Sequence, residues 1–238
     1  FISDFTLKQR EGGAQVSNDL IIKKGRELGN EIIEHSHSSS ITDFLSSYDL
    51  VINSNLEAIN KISPEKINYI VSFPNSVRLE HDSCSYLDSK TREDLFSNCV
   101  KTFFLSEFHY SFFKEFYGDI FKNVEIVYDP INTEAFSKGE GKKTYDVVYC
   151  GYLHQLKGVS NLVNFARNNP DRQVSVFGWA DINPERFFNN EENIEFNGSK
   201  THEEVAPILQ KTKAIFHSPM VNEPFCRMVG EALLCGVE

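Results

Sequence analysis

The chain has 238 residues, 40% hydrophobic and 24% charged, the balance of an ordinary soluble globular protein. That length suits one large domain or two modest ones. Its formal net charge of −10 excludes a broad nucleic-acid-binding surface, although a local basic pocket for a small anion remains compatible with it.

Short β-branched and aromatic runs alternate with helical patterns, which predicts a parallel α/β architecture. FISDF (1–5) reads as a strand, 14–29 as an amphipathic helix closed by Gly29, and NEIIEH (30–35) and DLVINS (49–54) as strands. Residues 56–74 fit a helix begun at Leu56, with INYIVSF as a strand the alternative, and SVRLEH (76–81) is the next strand. KTFFLS (101–106) and VEIVY (124–128) are strands flanking an aromatic helix over 107–118. The composition then changes. SKGEGKKT (137–144) is polar and glycine-containing, and reads as a linker between a domain over 1–136 and one over 145–238. A new alternation follows: strand 145–151, helix 157–169, strands 173–178 and 193–198, helix 201–212, strand 214–219 and a last helix. Two Rossmann-like units are expected, with a ligand between them at the carboxyl ends of the strands.

No apolar run reaches the length of a membrane span and no secretory signal is visible, while peripheral membrane contact stays open. Cys84, Cys99, Cys150, Cys226 and Cys235 are odd in number and without C-x-x-C spacing. They read as reduced thiols of a cytoplasmic protein. Phe1 begins with a strand under way and the chain stops just past a helix at Gly236, as a segment of a longer, truncated C-terminal domain would.

Three stretches carry candidate chemistry. Gly12 and Gly13 lie between the first strand and the first helix, where small residues let a backbone approach a ligand and helix N–H groups favour an anion. A merely tight turn explains them equally. In CGYLHQLKG (150–158), Gly151 ends a strand and Lys157-Gly158 opens a helix. A lysine there opposes the helix dipole, which makes sense if it shares a phosphate with the helix N–H groups; an exposed lysine is the plain alternative. In NEPFCRMVGEALLCG (222–236), Glu223 precedes Pro224 at a helix entrance and Glu231 sits among apolar residues of that helix. Capping and a solvated stripe would account for both acids. A carboxylate can also accept two hydrogen bonds from the diol of a ribose or hexose, and beside a phosphate site that assembles a nucleotide sugar.

In their order along the chain, the GGAQ loop, CGYLHQLKG and the Glu-x7-Glu segment resemble the retaining glycosyltransferases of family 4, with the GT-B fold. The resemblance implies a metal-independent hexosyltransferase without cofactor, using a UDP- or GDP-sugar and a carbohydrate or lipid-linked acceptor. By position it implies that Glu223 contacts the donor sugar and Glu231 the ribose. Pro224, Phe225 and Cys226 would line the donor, with the N–H groups of Phe225 and Cys226 beside it. Lys157 would hold the diphosphate beside Gly151, and Gly12-Gly13 would approach from the other domain. His81, with Asp82 as a less favoured neighbour, would stand by the transferred sugar; an exposed loop histidine is the alternative.

This chain departs from that pattern at several points. Tyr152 replaces a common arginine, with Arg227 a substitute cation, and Cys226 replaces a common glycine. A domain that binds a nucleotide sugar or a partner without turnover therefore stands as the alternative function. An epimerase of similar layout is disfavoured by the Glu-x7-Glu segment. His35 and His37 read as a polar strand end, since no further ligand-spaced partner accompanies them. The aromatic helix 107–117 reads as core, with an acceptor platform the alternative.

Overall fold

A computed structural model describes residues 1–9, 12–36, 48–54, 64–82, 90–188 and 191–238. The expected helix start at Leu56, and His37 and Cys84, lie outside these residues. The chain divides into two compact units, 1–130 with 223–225, and 131–222 with 226–238.

The first unit is a parallel sheet in the order β1 (Val51–Ser54), β2 (Ser76–Glu80), β3 (Lys101–Phe104), β4 (Val124–Ile126). Ile2 continues it by parallel bridges to Asn53 and His35, so the expected strands at 1–5 and 30–35 shrink to single bridged residues. Helices α1 (Gly13–Glu27), α2 (Pro64–Ser72), α3 (Lys90–Asn98) and α4 (Glu107–Tyr117) accompany the strands. INYIVSF is thus helical through Ser72, and helix α3, unassigned from sequence, separates β2 from β3.

Helix α4 starts where Ser106 caps it, its Oγ accepting from the His109 N–H at 3.1 Å, and it ends at Gly118. Its inward side chains His109 and Phe113 are buried, while Phe108 and Phe116 face solvent. Phe113 meets Phe96 edge-on at 5.6 Å and 87°, and Phe104 completes a buried aromatic core. Edge-on pairs of this kind add about 0.5–1.5 kcal/mol to the area they bury.

In the second unit the sheet order is β7 (Ile194–Phe196), β6 (Val174–Trp179), β5 (Tyr145–Tyr152), β8 (Thr212–Ile215), all parallel. Helix α5 (Val159–Asn168) buries Val159, Leu162, Val163 and Ala166, the i, i+3, i+4, i+7 stripe that its sequence spells. These residues pack on Val147, Tyr149, Val174 and Val176, each large apolar side chain contributing about 1.5–3 kcal/mol. The short helix α6 (Glu185–Phe188) and helices α7 (His202–Gln210) and α8 (Arg227–Leu234) complete the unit. Thr201 and Glu204 form a reciprocal capping box on α7. The helix stops at Gln210 and β8 starts two residues later, earlier than expected, because Thr212 turns inward and its hydroxyl donates to the Ile208 carbonyl at 2.8 Å.

The polar stretch 137–144 lies along the second unit. Gln210 Nε2 donates to the Ser137 carbonyl at 3.2 Å, and Lys143 Nζ to the Gly236 carbonyl at 3.2 Å. Among the described residues no helix is long and apolar enough to cross a membrane.

Candidate functional site

In the second unit the candidate residues gather at the carboxyl ends of the strands. Gly151 and Gly178 are register partners on β5 and β6, and a Cβ on Gly178 would stand 1.9 Å from the Gly151 carbonyl oxygen. Only a residue without a side chain permits that approach. Tyr152 follows, its ring stacked with Trp179 (4.2 Å, 26°) and with His154 (5.2 Å, 11°), its hydroxyl donating to Asp181 Oδ2. The position expected for a cation thus holds a neutral phenol, hydrogen-bonded to an acid.

Lys157 does not open α5. It is the exposed last residue of a 3-10 turn, Gln155–Lys157, and Gly158 in the left-handed region (φ 82) separates it from the helix. The turn is fixed by His154, whose Nδ1 accepts from the Leu156 N–H at 3.2 Å and whose carbonyl accepts from the Lys157 N–H at 3.0 Å. Lys157 therefore stands one residue before the N-cap, beside the positive end of α5 rather than within it. A Cβ on Gly158 would meet the Ser218 carbonyl oxygen at 2.0 Å. Gly158→Ala is expected to destabilise the second unit by about 2–4 kcal/mol, from overpacking plus a left-handed backbone. Urea unfolding checks this, and an unchanged midpoint would contradict the tight approach.

Helix α8 begins at Arg227 with Cys226 as N-cap, so Glu223, Pro224 and Phe225 precede the helix instead of forming its first turn. Those three residues group with the first unit. The Pro224 carbonyl accepts from Ser106 Oγ at 2.7 Å, and the Phe225 ring lies 6.0 Å from that of Tyr128. Ser106 thus uses one hydroxyl twice, accepting from α4 and donating to Pro224.

Glu231 lies one turn into α8 and is buried. Its Oε1 accepts from Arg227 Nη2 at 3.0 Å and from His202 Nε2 at 2.8 Å. His202 is the first residue of α7, so the carboxylate ties the starts of two helices together. Arg227 is buried against this acid, which directs its guanidinium to Glu231. The Glu231 charge also reaches Cys150 at the end of β5, where burial first and then Glu231 raise the thiol to about 12. Cys150 stands two residues before the end of β5, on the side of the sheet where open α/β folds bind ligands, and the Glu231 charge acts there.

In the first unit, Gly12 is the N-cap of α1, and Gly13 is its exposed first residue. The Gln15 side chain fills the space a Cβ on Gly12 would need, 2.5 Å from its Oε1, while its Nε2 donates to buried Asp4 at 3.0 Å. His81 and Asp82 follow β2 and are buried, which excludes the exposed-loop alternative for His81. His81 Nδ1 lies 3.5 Å from Asp129 Oδ1. Asp82 Oδ2 accepts from Arg92 at 2.7 Å, and its backbone N–H donates to Glu80 Oε1 at 2.8 Å. Glu80 in turn holds Arg78 at 2.7 Å. Burial lowers His109 to about 4, so its neutral ring donates from Nε2 to the Asp82 carbonyl at 3.1 Å. Asp129, His202 and Ser106 were not anticipated. Each lies far along the chain from its partner, and no local spacing marks it.

Two parallel Rossmann-like sheets, each flanked by helices, give the chain the GT-B fold of glycosyltransferases. No family model and no curated protein matches the sequence. Among solved structures, the chain is similar to a sucrose-phosphate synthase from Thermosynechococcus elongatus, at 14% identity and TM-score 0.62, covering 82% of this chain and 56% of that one. It is similar to the lipopolysaccharide outer core galactosyltransferase WaaB, apo form, at 13% identity and TM-score 0.64, covering 100% and 78%. A third is the pneumococcal O-GlcNAc transferase GtfA in complex with UDP and GlcNAc, at 13% identity and TM-score 0.58, covering 82% and 42%. The chain thus spans little more than half the length of the synthase and less than half that of GtfA.

Proposed function

We propose that the chain is a retaining, metal-independent glycosyltransferase of the family 4 type, taking a sugar from a UDP- or GDP-sugar to a carbohydrate or lipid-linked acceptor in the cytoplasm. The observation that carries this reading is Glu231, an acid buried near the carboxyl end of a GT-B sheet and neutralised by Arg227. An unpaired carboxylate would repel a diphosphate, whereas a neutral pair keeps its acceptor oxygens without a net charge.

In the proposed reaction the acceptor hydroxyl attacks the anomeric carbon on the face the leaving group departs from. The bond from that carbon to the phosphate oxygen breaks, and the hydroxyl proton passes to the leaving phosphate. Lys157 and the positive end of α5 stabilise the charge that develops. Glu223 contacts the sugar hydroxyls, Glu231 the ribose, and His81 stands by the transferred sugar. Pro224, Phe225, Cys226 and the loop at Gly12-Gly13 line the donor, and Arg227 acts through Glu231.

Glu231→Gln should weaken binding of the nucleoside diphosphate by roughly 1–3 kcal/mol in calorimetry. Glu223→Gln should instead lower turnover of the nucleotide sugar and leave affinity for the bare nucleoside diphosphate largely intact. Unchanged affinity in a folded Glu231→Gln variant would sink the ribose role, and equal weakening of both ligands by Glu223→Gln would make Glu223 structural.

One observation favours a second reading, binding without turnover. Tyr152, held in its stack and by Asp181, leaves the diphosphate with one cation fewer than the resembled family supplies. Hydrolysis or transfer of a labelled donor separates the two readings, because a binding module retains affinity without product.

A further inference from the structure

We infer that His202 is a positioning residue for the ribose diol, an inference that rests on the Glu231 role proposed above. The two side chains that hold the Glu231 carboxylate, Arg227 at 3.0 Å and His202 at 2.8 Å, both meet the same oxygen, Oε1. They come from two different helices, α8 and α7. Two donors on one oxygen fix the rotation of the carboxylate about its terminal torsion, which is otherwise broad. Arg227 alone sits on the same helix face four residues away, so it neutralises the charge but can follow the acid through several rotamers. His202 removes that freedom, because its ring is anchored on a separate element and lies 4.8 Å from the Phe136 ring.

The shorter of two contacts at His202 Nε2 assigns its tautomer. A carboxylate only accepts, so in the shorter contact, 2.8 Å, the Nε2 of His202 donates to Oε1; Arg227 Nη2, 3.3 Å from that nitrogen, then gives its own proton to Oε1 at 3.0 Å. The second oxygen, Oε2, is then the one presented to a ligand hydroxyl, with its direction set by its partner's bonds. A diol read by a pre-oriented oxygen is discriminated from a deoxy analogue more sharply than one read by a mobile side chain. His202 therefore governs selectivity for ribose over deoxyribose and does not touch the reacting atoms.

Calorimetry with UDP, GDP and their 2′-deoxy and 3′-deoxy counterparts tests this. The wild type should prefer the ribo form of its nucleotide about tenfold over at least one deoxy form, the size of one hydrogen bond. In His202→Ala that preference should fall to about twofold or less. His202→Gln, whose amide nitrogen can donate to the same oxygen, should restore most of it. A His202→Ala protein that melts earlier but keeps the wild-type preference shows a structural residue and overturns the inference. Should Glu231→Gln also keep the preference, the ribose role of Glu231 falls with it. Should Glu231→Gln lose the preference while His202→Ala keeps it, only the role of His202 falls. A wild type that binds neither UDP nor GDP, or shows no ribose preference, overturns both.

Discussion

Glu80→Ala is expected to destabilise the first unit by about 3–5 kcal/mol, the cost of leaving one partner of a buried ion pair uncompensated. Arg78 and Glu80 are both wholly buried on β2, joined at 2.7 Å through Nη2 and at 3.0 Å through Nε. Removing the acid strands the guanidinium in the sheet, where Asn53 Oδ1 at 3.1 Å, Asp82 at 3.6 Å and the Phe96 ring at 5.8 Å are among its neighbours. It also frees the Asp82 N–H, and so loosens the turn that holds His81. Urea unfolding should show the loss, and the paired change Arg78→Met with Glu80→Leu should recover most of it, since neither charge is then stranded. If the single variant unfolds at the wild-type midpoint, the network is ornamental to stability.

The same residue has a pH signature. Burial alone would push Glu80 up, but Arg78 foremost, with Arg92 and His109, holds it below the usual carboxylate value of 4.5. A depressed folded value means that its contribution is complete above the unfolded value of 4.5 and is lost as pH falls from there through the folded one. Glu80→Ala should remove that part of the acid sensitivity.

Lys157→Ala is expected to lower turnover by about 10²–10³-fold, the usual loss when one preorganised partner of developing charge is removed. Binding of the uncharged nucleoside should change little, because the effect belongs to charge that forms as the glycosidic phosphate bond breaks. The size follows from the surroundings. With Tyr152 in place of a second cation, and Arg227 turned onto Glu231, the proposed function would have Lys157 carry more of the leaving-group charge than one of two cations would. The 3-10 turn capped by His154 and the left-handed Gly158 hold its backbone beside the start of α5, so the substitution should leave the fold intact. A Lys157→Ala protein with wild-type turnover of the nucleotide sugar would return this lysine to the solvent.

The sequence alone determined the alternation of strands and helices and the two-unit α/β class. The physical reason is that a period of 3.6 or 2 in apolar residues is a local property, as the stripe Val159, Leu162, Val163, Ala166 illustrates. The glycines at 151 and 158 were legible as punctuation between elements, whereas the approach of the distant Ser218 carbonyl that requires a glycine at 158 was not. Helix α3 was not legible. Its buried face consists of Leu95, Phe96 and Arg92, and burying the arginine depends on partners outside the helix, among them Asp82, ten residues away, at 2.7 Å. The start of α8 was also decided elsewhere. Pro224 suits a first helical turn, but its carbonyl is taken by Ser106, 118 residues distant, and the helix waits until Arg227.

The acid at Glu231 could be picked out along the chain, but its surroundings could not. Arg227 lies four residues away on the same helix, whereas His202 is 29 residues distant on another. Electrostatic partners brought together across elements leave no periodic trace, because charge pairing acts through space and any stretch of chain can supply the partner. Only the tertiary structure decided that Glu231 is a neutralised, doubly held carboxylate, and that Lys157 stands outside its helix rather than in it.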